Sequence, residues 1–409
     1  MSYLTPIAVT GIGVVAPTGV DEAGFWAALV DGRSAIRAGD DGLLRAPVEE
    51  FHPRRYIAAS ALRRIPRLVQ MTLVAAKQAL AQAAGVALSG DSLPDVMKRP
   101  ADALGIDPTR VGIVIGTGLG TFDQTMDFLV GYLDGGPEAA SPLLFPTSVM
   151  NAAAGLLAVD CDLRGVNSTV NHKDASPLLA IGMAIDQLRL GRADAIVVGA
   201  MDELCAPIIE GYRLLGGLSS SVMRPYDRSR SGLALGESAA VMVLERLPDA
   251  ERRGAKVRAV LGRRGETSDS RPRVGWGEGR AGVQASRALQ AALEGGPPID
   301  WVAGSGNGTR LDDLELAVLT QTFQPRGAVP PTSSILASTG ESAASAMLRV
   351  CAAVRACEEG YCPSTLGLVD PAPQHGFLLR GPLHTKVGAV LVPSFAQGGS
   401  NTALVVERG

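Results

Sequence analysis

Val170-Asn171-His172-Lys173-Asp174-Ala175-Ser176-Pro177, running on into Leu178-Leu179-Ala180-Ile181-Gly182-Met183-Ala184, is the stretch on which the reading of this chain turns. It predicts a short strand over residues 166–170, a polar turn, and then a helix with Ser176 as N-cap and Pro177 at the first helical position, where a missing N–H costs nothing. Asp174 then lies just outside a helix N-terminus, among unpaired N–H groups and the positive end of the helix dipole. Such a corner presents a side chain to a cleft. A carboxylate there is expected to stay ionised, which makes it a good anion and a poor nucleophile. Two readings stand side by side: Asp174 merely caps its helix, or it is placed for function.

Outward from this stretch, apolar runs alternate with helical patterns. Strands are expected over residues 6–15, 111–115, 195–198 and 239–244, and helices over 21–31, 65–84, 122–133 and 148–159. In the helix 65–84, Val69, Leu73, Ala76 and Leu80 recur at the spacing of a buried face, with Pro66 in its first turn. Residues 91–107 read as a polar surface insertion. The second part repeats the theme: strands over 257–261 and 301–303, a helix over 284–293, and the loop Gly304-Ser305-Gly306-Asn307-Gly308-Thr309. Residues 333–338 then lead through Thr339-Gly340-Glu341 into a small-residue helix over 342–357, a second strand, polar turn and alanine-rich helix. Strands over 387–392 and 402–406 close the chain. This alternation predicts an α/β protein with parallel sheets covered by helices and function at the carboxyl ends of strands. Asp174, Asn307 and Glu341 occupy three such turns.

With 409 residues, 46% hydrophobic and 19% charged, the chain is long enough for a core of two lobes. A net charge of −3 and 4% aromatics argue against nucleic acid, which calls for a basic surface and stacking platforms. No run reaches the roughly 18 apolar residues of a membrane span, and the apolar start is broken by glycines without a basic leader, so a cytoplasmic protein is expected. The five cysteines lack paired metal-ligand spacing and read as buried thiols, with no metal site. Arg63, Arg64 and Arg67 crowd the start of the helix 65–84, where cations oppose the dipole. They are either simply solvated or held there for an acidic partner.

Three further motifs carry a resemblance that spans nearly the whole chain. The opening Val9-Thr10-Gly11-Ile12-Gly13-Val14-Val15-Ala16-Pro17 resembles the start of β-ketoacyl synthases, the condensing enzymes of fatty-acid and polyketide assembly. Arg224-Pro225-Tyr226-Asp227-Arg228-Ser229-Arg230-Ser231-Gly232, followed by Gly236-Glu237-Ser238-Ala239-Ala240, resembles that family's internal signature, and residues 394–401 its glycine-rich C-terminal loop. The resemblance implies a thiolase-like, five-layered fold built from two similar halves, here expected as residues 1–252 and 253–409, and a dimer without a cofactor.

The family's catalytic residues do not carry over. Its nucleophilic cysteine matches Asp174, its two active-site histidines match Asn307 and Glu341, its lysine matches Leu336 and its gating phenylalanine matches Gln397. His172 aligns with no family histidine and reads as a turn residue. Condensation calls for a thiol to hold the chain and two imidazoles to stabilise an enolate, and removing one oxyanion donor alone costs roughly 2.7–4 kcal/mol. Asn307 still offers an amide donor. Asp174 and Glu341 are expected to approach one another, which two carboxylates do only by sharing a proton or a cation, with Lys173 or His172 in reach. The site is then either a charged plug or an acid/base pair of altered chemistry.

Within the family, this chain resembles the chain length factors of type II polyketide systems, which pair with an active ketosynthase and shape its tunnel. Those factors commonly carry glutamine where Asp174 stands, so a divergent branch, such as the partners of polyene-forming ketosynthases, is also open. The resemblance implies a heterodimer with a ketosynthase and an acyl carrier protein as further partner, with Arg63, Arg64 and Arg67 as docking cations. The helix 122–133 would lie at the interface, with Phe128, Tyr132 and Gln397 as tunnel residues. An enzyme with new chemistry through Asp174, Glu341 or Ser176, and a homodimeric acyl-chain or carrier-binding protein, are the alternatives.

Overall fold

The computed structural model describes residues 5–88, 99–219, 221–269, 282–371 and 375–409. Ten strands form one mixed sheet: β1 (Ile7–Val15), β2 (Val111–Thr117), β3 (Asn167–Asn171), β4 (Ala195–Asp202), β5 (Ser238–Arg246), β6 (Ala259–Ser268), β7 (Trp301–Ala303), β8 (Thr332–Ser333), β9 (Ala389–Phe395) and β10 (Ser400–Arg408). Their order is β8-β7-β9-β10-β6-β1-β5-β4-β2-β3. Read outward from the centre, both halves run first strand, fifth, fourth, second, third. The senses repeat as well: β2 lies parallel to β3 and β4, β7 parallel to β8 and β9, and the remaining pairs are antiparallel. The halves join where Ile7–Val9 of β1 meets Leu261–Ala259 of β6. The two similar halves expected from the sequence are therefore present. A purely parallel sheet is not, because β1, β4 and β5 are buried at nearly every position and a strand apolar on both faces carries no mark of its direction.

Helices complete the layers. The helices of the first half begin with α1 (Glu22–Val30), α2 (Arg67–Ala83), α3 (Phe122–Gly135) and α4 (Ala152–Asp160); α2 and α4 pack on the outer face of the first half-sheet, while Phe25, Trp26 and Leu29 of α1 join the middle core. The middle layer is α5 (Ser176–Arg189) with α9 (Ser345–Glu359), one from each half, packed on each other between the half-sheets. Between them in sequence come α6 (Ala206–Leu214), α7 (Val283–Leu293) and α8 (Leu311–Phe323), and α7 and α8 form the opposite outer layer. Three core clusters fill the gaps: Leu73, Leu80 and Val243 outside the first half-sheet, Ile181, Met347 and Val390 in the middle, and Leu289, Leu319 and Val405 outside the second. This is the five-layered, thiolase-like arrangement.

Several boundaries differ from the sequence expectation. A 3₁₀ turn at Lys173–Ala175 runs straight into α5, so Ser176 already has helical angles and does not cap. Its hydroxyl instead accepts from the His172 N–H at 2.7 Å and donates to the Thr117 carbonyl at 2.9 Å, tying the turn to β2. In the second half a short helix, Leu336–Thr339, precedes the turn, and α9 starts at Ser345 rather than 342. The helices α6 and α8 were not anticipated, and part of the expected surface insertion is helical over Pro100–Leu104, while residues 89–98 lie outside the described residues. Among the described residues no helix is long and apolar enough to cross a membrane.

The halves also share a packing constraint. A Cβ on Gly13 of β1 would stand 1.9 Å from the Ala75 carbonyl oxygen of α2, and one on Gly265 of β6 would stand 1.8 Å from that of Ala288 in α7. Backbone meets backbone at both sites, so no side chain is free to give way. Gly13→Ala and Gly265→Ala are each expected to lower stability by about 1–3 kcal/mol or more through overpacking. Denaturant unfolding checks this, and unchanged midpoints in both variants would contradict the packing described.

Candidate active site

Asp174, Asn307 and Glu341 line one cavity at the carboxyl ends of β3, β7 and β8. Asp174 precedes α5 and Glu341 precedes α9, so the equivalent turns of the two halves face each other across the middle layer. Ser305, Ser342, Arg349, Ser394, Phe395 and Gln397 complete much of the wall. A second pocket continues from Asp174, Glu341 and Gln397 past Leu119, Leu204, Ile208 and Leu215, with about 630 Å³ of empty space. Tyr212 of α6 borders both.

The Asn307 loop is built from below by α8. Asp312 accepts from the N–H groups of Asn307 at 2.8 Å, Gly308 at 3.1 Å and Tyr226 at 2.7 Å, while Glu315 accepts from the Ser305 N–H at 2.8 Å and the Tyr226 hydroxyl at 2.7 Å. The Tyr226 oxygen in turn accepts from the Gly306 N–H at 2.9 Å. Tyr226 sits at φ 63°, a left-handed conformation unusual for a bulky residue, which the surrounding bonds hold in place. Gly304 and Gly306 are required by its side chain, since a Cβ on Gly304 would lie 2.1 Å from the hydroxyl oxygen and one on Gly306 2.2 Å from the ring. The Arg224–Gly232 motif thus serves as the scaffold of the Asn307 loop. Asn307 itself is 6% exposed; its Oδ1 accepts from the Thr309 hydroxyl at 2.7 Å, and its side chain hydrogen-bonds the Glu341 carboxyl.

The electrostatics differ from the sequence expectation. Asp174 was expected to remain an ordinary anion, but burial pushes its pKa up, opposed by the Gln397 N–H, Lys173 and Arg349. Burial, and then the Asp174 charge, push Glu341 up to about 8, against Arg349 and Asn307. Asp202, whose carboxylate accepts from the N–H groups of Gly118 and Leu119, is pushed by burial to about 7. At neutral pH the Asp174–Glu341 pair therefore retains a proton, the arrangement that two adjacent buried carboxyls adopt.

The buried counter-charge is Arg349 of α9, 3% exposed. Its guanidinium donates to the carbonyls of Ala303 at 3.0 Å and Pro393 at 2.5 Å, at the ends of β7 and β9. The sequence reading missed it, although it is the one charge in an otherwise apolar and small-residue run from Ser342 to Val354. Of the cations expected instead, His172 turns to Ser400, its Nε2 2.5 Å from the hydroxyl, and Lys173 is exposed at the mouth.

The other expected positions scatter. Gln397 borders the cavity, whereas Leu336 is buried in an apolar cluster with Cys205, Ile208 and Leu235. Phe128 and Tyr132 do not line the cleft of this chain: Phe128 packs on Phe145, ring centroids 5.6 Å apart, and Tyr132 is 45% exposed on a helix with no buried residue. Arg63 and Arg64 are exposed, whereas Arg67 binds the buried Glu237 at 2.7 Å and the Val48 carbonyl at 2.7 Å. Among the described residues no cluster of side chains suited to a metal ion occurs.

The protonated Glu341 fixes a pH dependence. Its folded pKa of about 8 lies above the ordinary 4.5, so between these values the folded chain binds more protons than the unfolded one, and stability falls as pH rises through that window. Glu341→Gln removes this contribution. Its melting temperature is expected to fall less than that of the wild-type chain between pH 5 and pH 9, by calorimetry in one salt concentration; parallel curves would show that Glu341 is not held protonated.

Residues 4–250 match the model of the β-ketoacyl synthase N-terminal domain. The chain is 26% identical over 98% of its length to 3-oxoacyl-[acyl-carrier-protein] synthase 2 of Coxiella burnetii, covering 98% of that protein. It is 29% identical to the tetracenomycin polyketide synthase ketoacyl synthase alpha subunit of Streptomyces glaucescens, over 98% of this chain and 97% of the other. Among solved structures, the ishigamide ketosynthase/chain length factor superposes with a TM-score of 0.86 at 24% identity, covering 99% of each chain. A type II polyketide synthase acyl-carrier protein in complex with its ketosynthase bound to the hexaketide gives 0.84 at 22%, again over 99% of each. The repeated half-sheets, the Tyr226 scaffold and these matches together place the chain in the β-ketoacyl synthase family.

Proposed function

We propose that this chain is a non-condensing subunit of the chain length factor type, which pairs with an active ketosynthase and shapes the tunnel for the growing acyl or polyketide chain. The observation that carries this reading is the site: the family frame surrounds a carboxyl, an amide and a second carboxyl, Asp174, Asn307 and Glu341, none of which supplies a thiolate or an imidazole. The Asp174 carboxyl accepts from the Gln397 N–H, so a donor that could face a reacting carbonyl is engaged by the chain's own side chain.

The partner is proposed from the surface. Leu129, Val130, Tyr132 and Leu133 of α3, with Leu143, Phe145 and Met150 beyond it, are exposed large apolar residues of the same half whose β3 is an edge strand of the sheet. An apolar face with an open strand edge calls for a cover. The structures that superpose on this chain include a ketosynthase/chain length factor and a ketosynthase with its acyl-carrier protein. We assign the face to a ketosynthase, through an obligate interface above about 2,000 Å², and the exposed Arg63 and Arg64 to the carrier protein, with Arg67 holding the site's edge through Glu237.

A second reading follows from Glu341. A carboxylic acid that keeps its proton to about pH 8 beside another carboxyl is an acid/base pair, suited to decarboxylation, acyl transfer or hydrolysis of carrier-bound chains. Asp174→Asn separates the two. In the complex with its ketosynthase, product formation is expected to stay near wild type, with stability altered by roughly 0.5–3 kcal/mol; loss of activity in an intact complex would favour the acid/base pair. Chain length is tested on the exposed helix. Phe128→Ala and Tyr132→Ala in the complex are expected to shift products upward by one or more extension units, since a chain that fills the vacated space recovers about 0.8 kcal/mol per buried methylene. An unchanged product distribution from both intact variants would remove α3 from the role of floor.

A further inference from the structure

The cavity at Asp174 sets burial, which disfavours a charged carboxyl, against several groups that favour one. The Gln397 N–H points at the Asp174 carboxyl, the first turns of α5 and α9 open beside it, and Arg349 lines the same wall. Arg349 is 3% exposed, and its Nε has no hydrogen-bond partner. A buried guanidinium with an unused donor is costly unless an anion lies near it. Glu315, Glu341 and Asp174 are its acidic neighbours, and Asp174 is the one that the Gln397 N–H also meets.

We infer that this cavity is a carboxylate-binding site whose resident ligand is the chain's own Asp174 side chain, and that removing that side chain exposes a receptor for small monocarboxylates. The chemistry is one of matched fragments. Beyond its Cα, aspartate is a methylene carrying a carboxylate, so truncation to glycine vacates the atoms of acetate and truncation to alanine those of formate. The freed space keeps the Gln397 N–H and the Arg349 charge, which recognise a carboxylate wherever it is attached. The remaining ionisable neighbours favour the ligand at mildly acid pH. Glu341, pushed up to about 8, and Asp202 and Asp312, each pushed up to about 7, then carry protons, while Tyr212 is uncharged and Lys173 adds a cation at the mouth. Glu315, behind Arg349, is pushed up by burial as well. The inference rests on the reading of Asp174 as a plug.

The test measures thermal unfolding and calorimetric binding at mildly acid pH for the wild-type chain, Asp174→Gly and Asp174→Gly/Arg349→Met. The complex with the ketosynthase is used if the chain requires it. Sodium acetate is compared with sodium chloride at equal ionic strength. The melting temperature of Asp174→Gly is expected to rise and saturate with acetate, while the wild-type chain and the double variant respond to acetate as to chloride. A folded Asp174→Gly without an acetate-specific rise, or an equal rise in the double variant, overturns the inference. If Asp174→Gly does not fold, Asp174→Ala with formate decides by the same comparison. Product formation keeps this separate from the plug reading. Activity lost in Asp174→Gly and restored by acetate would sink the plug while upholding the receptor; activity retained with no acetate response would sink the receptor alone.

Discussion

Two carboxyls from opposite halves meet in a cavity that water reaches poorly, and the rest of the site is arranged around that meeting. Asp174 and Glu341 are pushed toward their neutral forms by burial, and the Asp174 charge pushes Glu341 further. A retained proton and the buried Arg349 offset the repulsion, with the Asn307 side chain and the Gln397 N–H as neutral donors. Removing either carboxyl takes one acidic neighbour from Arg349, which keeps Glu315 as another. The coupling follows directly from the duplicated architecture, because equivalent turns of two similar halves open onto the same point.

The scaffold explains how such a site persists. Asp312 and Glu315 hold the Asn307 loop from α8, and Tyr226 accepts a left-handed backbone to reach both. None of these bonds is made by a side chain at a reacting position of a condensing enzyme, so the frame can stand while those side chains are exchanged. The motif that marks the family is a packing motif here. It says what shape surrounds the site and nothing about which reaction occurs in it.

Much of this was legible in the sequence, for physical reasons that also mark where legibility ends. The internal repeat could be read because strand, polar turn and small-residue helix recur around Asp174 and Glu341, and the fold implied by the family resemblance brought the two turns together. Strand direction could not be read, since Ala239–Val243 and its neighbours are apolar on both faces. Arg349 was hidden as one charge in a helix of small residues, whose destination depends on packing rather than on periodicity. Asp174 was read as ionised because a helix N-terminus favours the anion; burial opposes this and raises its pKa, and only the tertiary structure sets the degree of burial. Phe128 and Tyr132 were read as tunnel residues; in this chain Tyr132 is exposed and Phe128 packs half-buried on Phe145, so a partner would have to complete any tunnel they border.

The central claim is that a condensing-enzyme frame has been kept without its covalent chemistry. It is tested most directly by intact-mass analysis of the proposed complex between this chain and a ketosynthase after reaction with acyl and malonyl carrier thioesters. The account predicts that the acyl adduct appears on the ketosynthase alone and that the mass of this chain is unchanged throughout turnover. An acyl adduct on this chain, lost in Asp174→Asn, would show that the carboxyl at the old nucleophile position still takes the chain and would contradict the account.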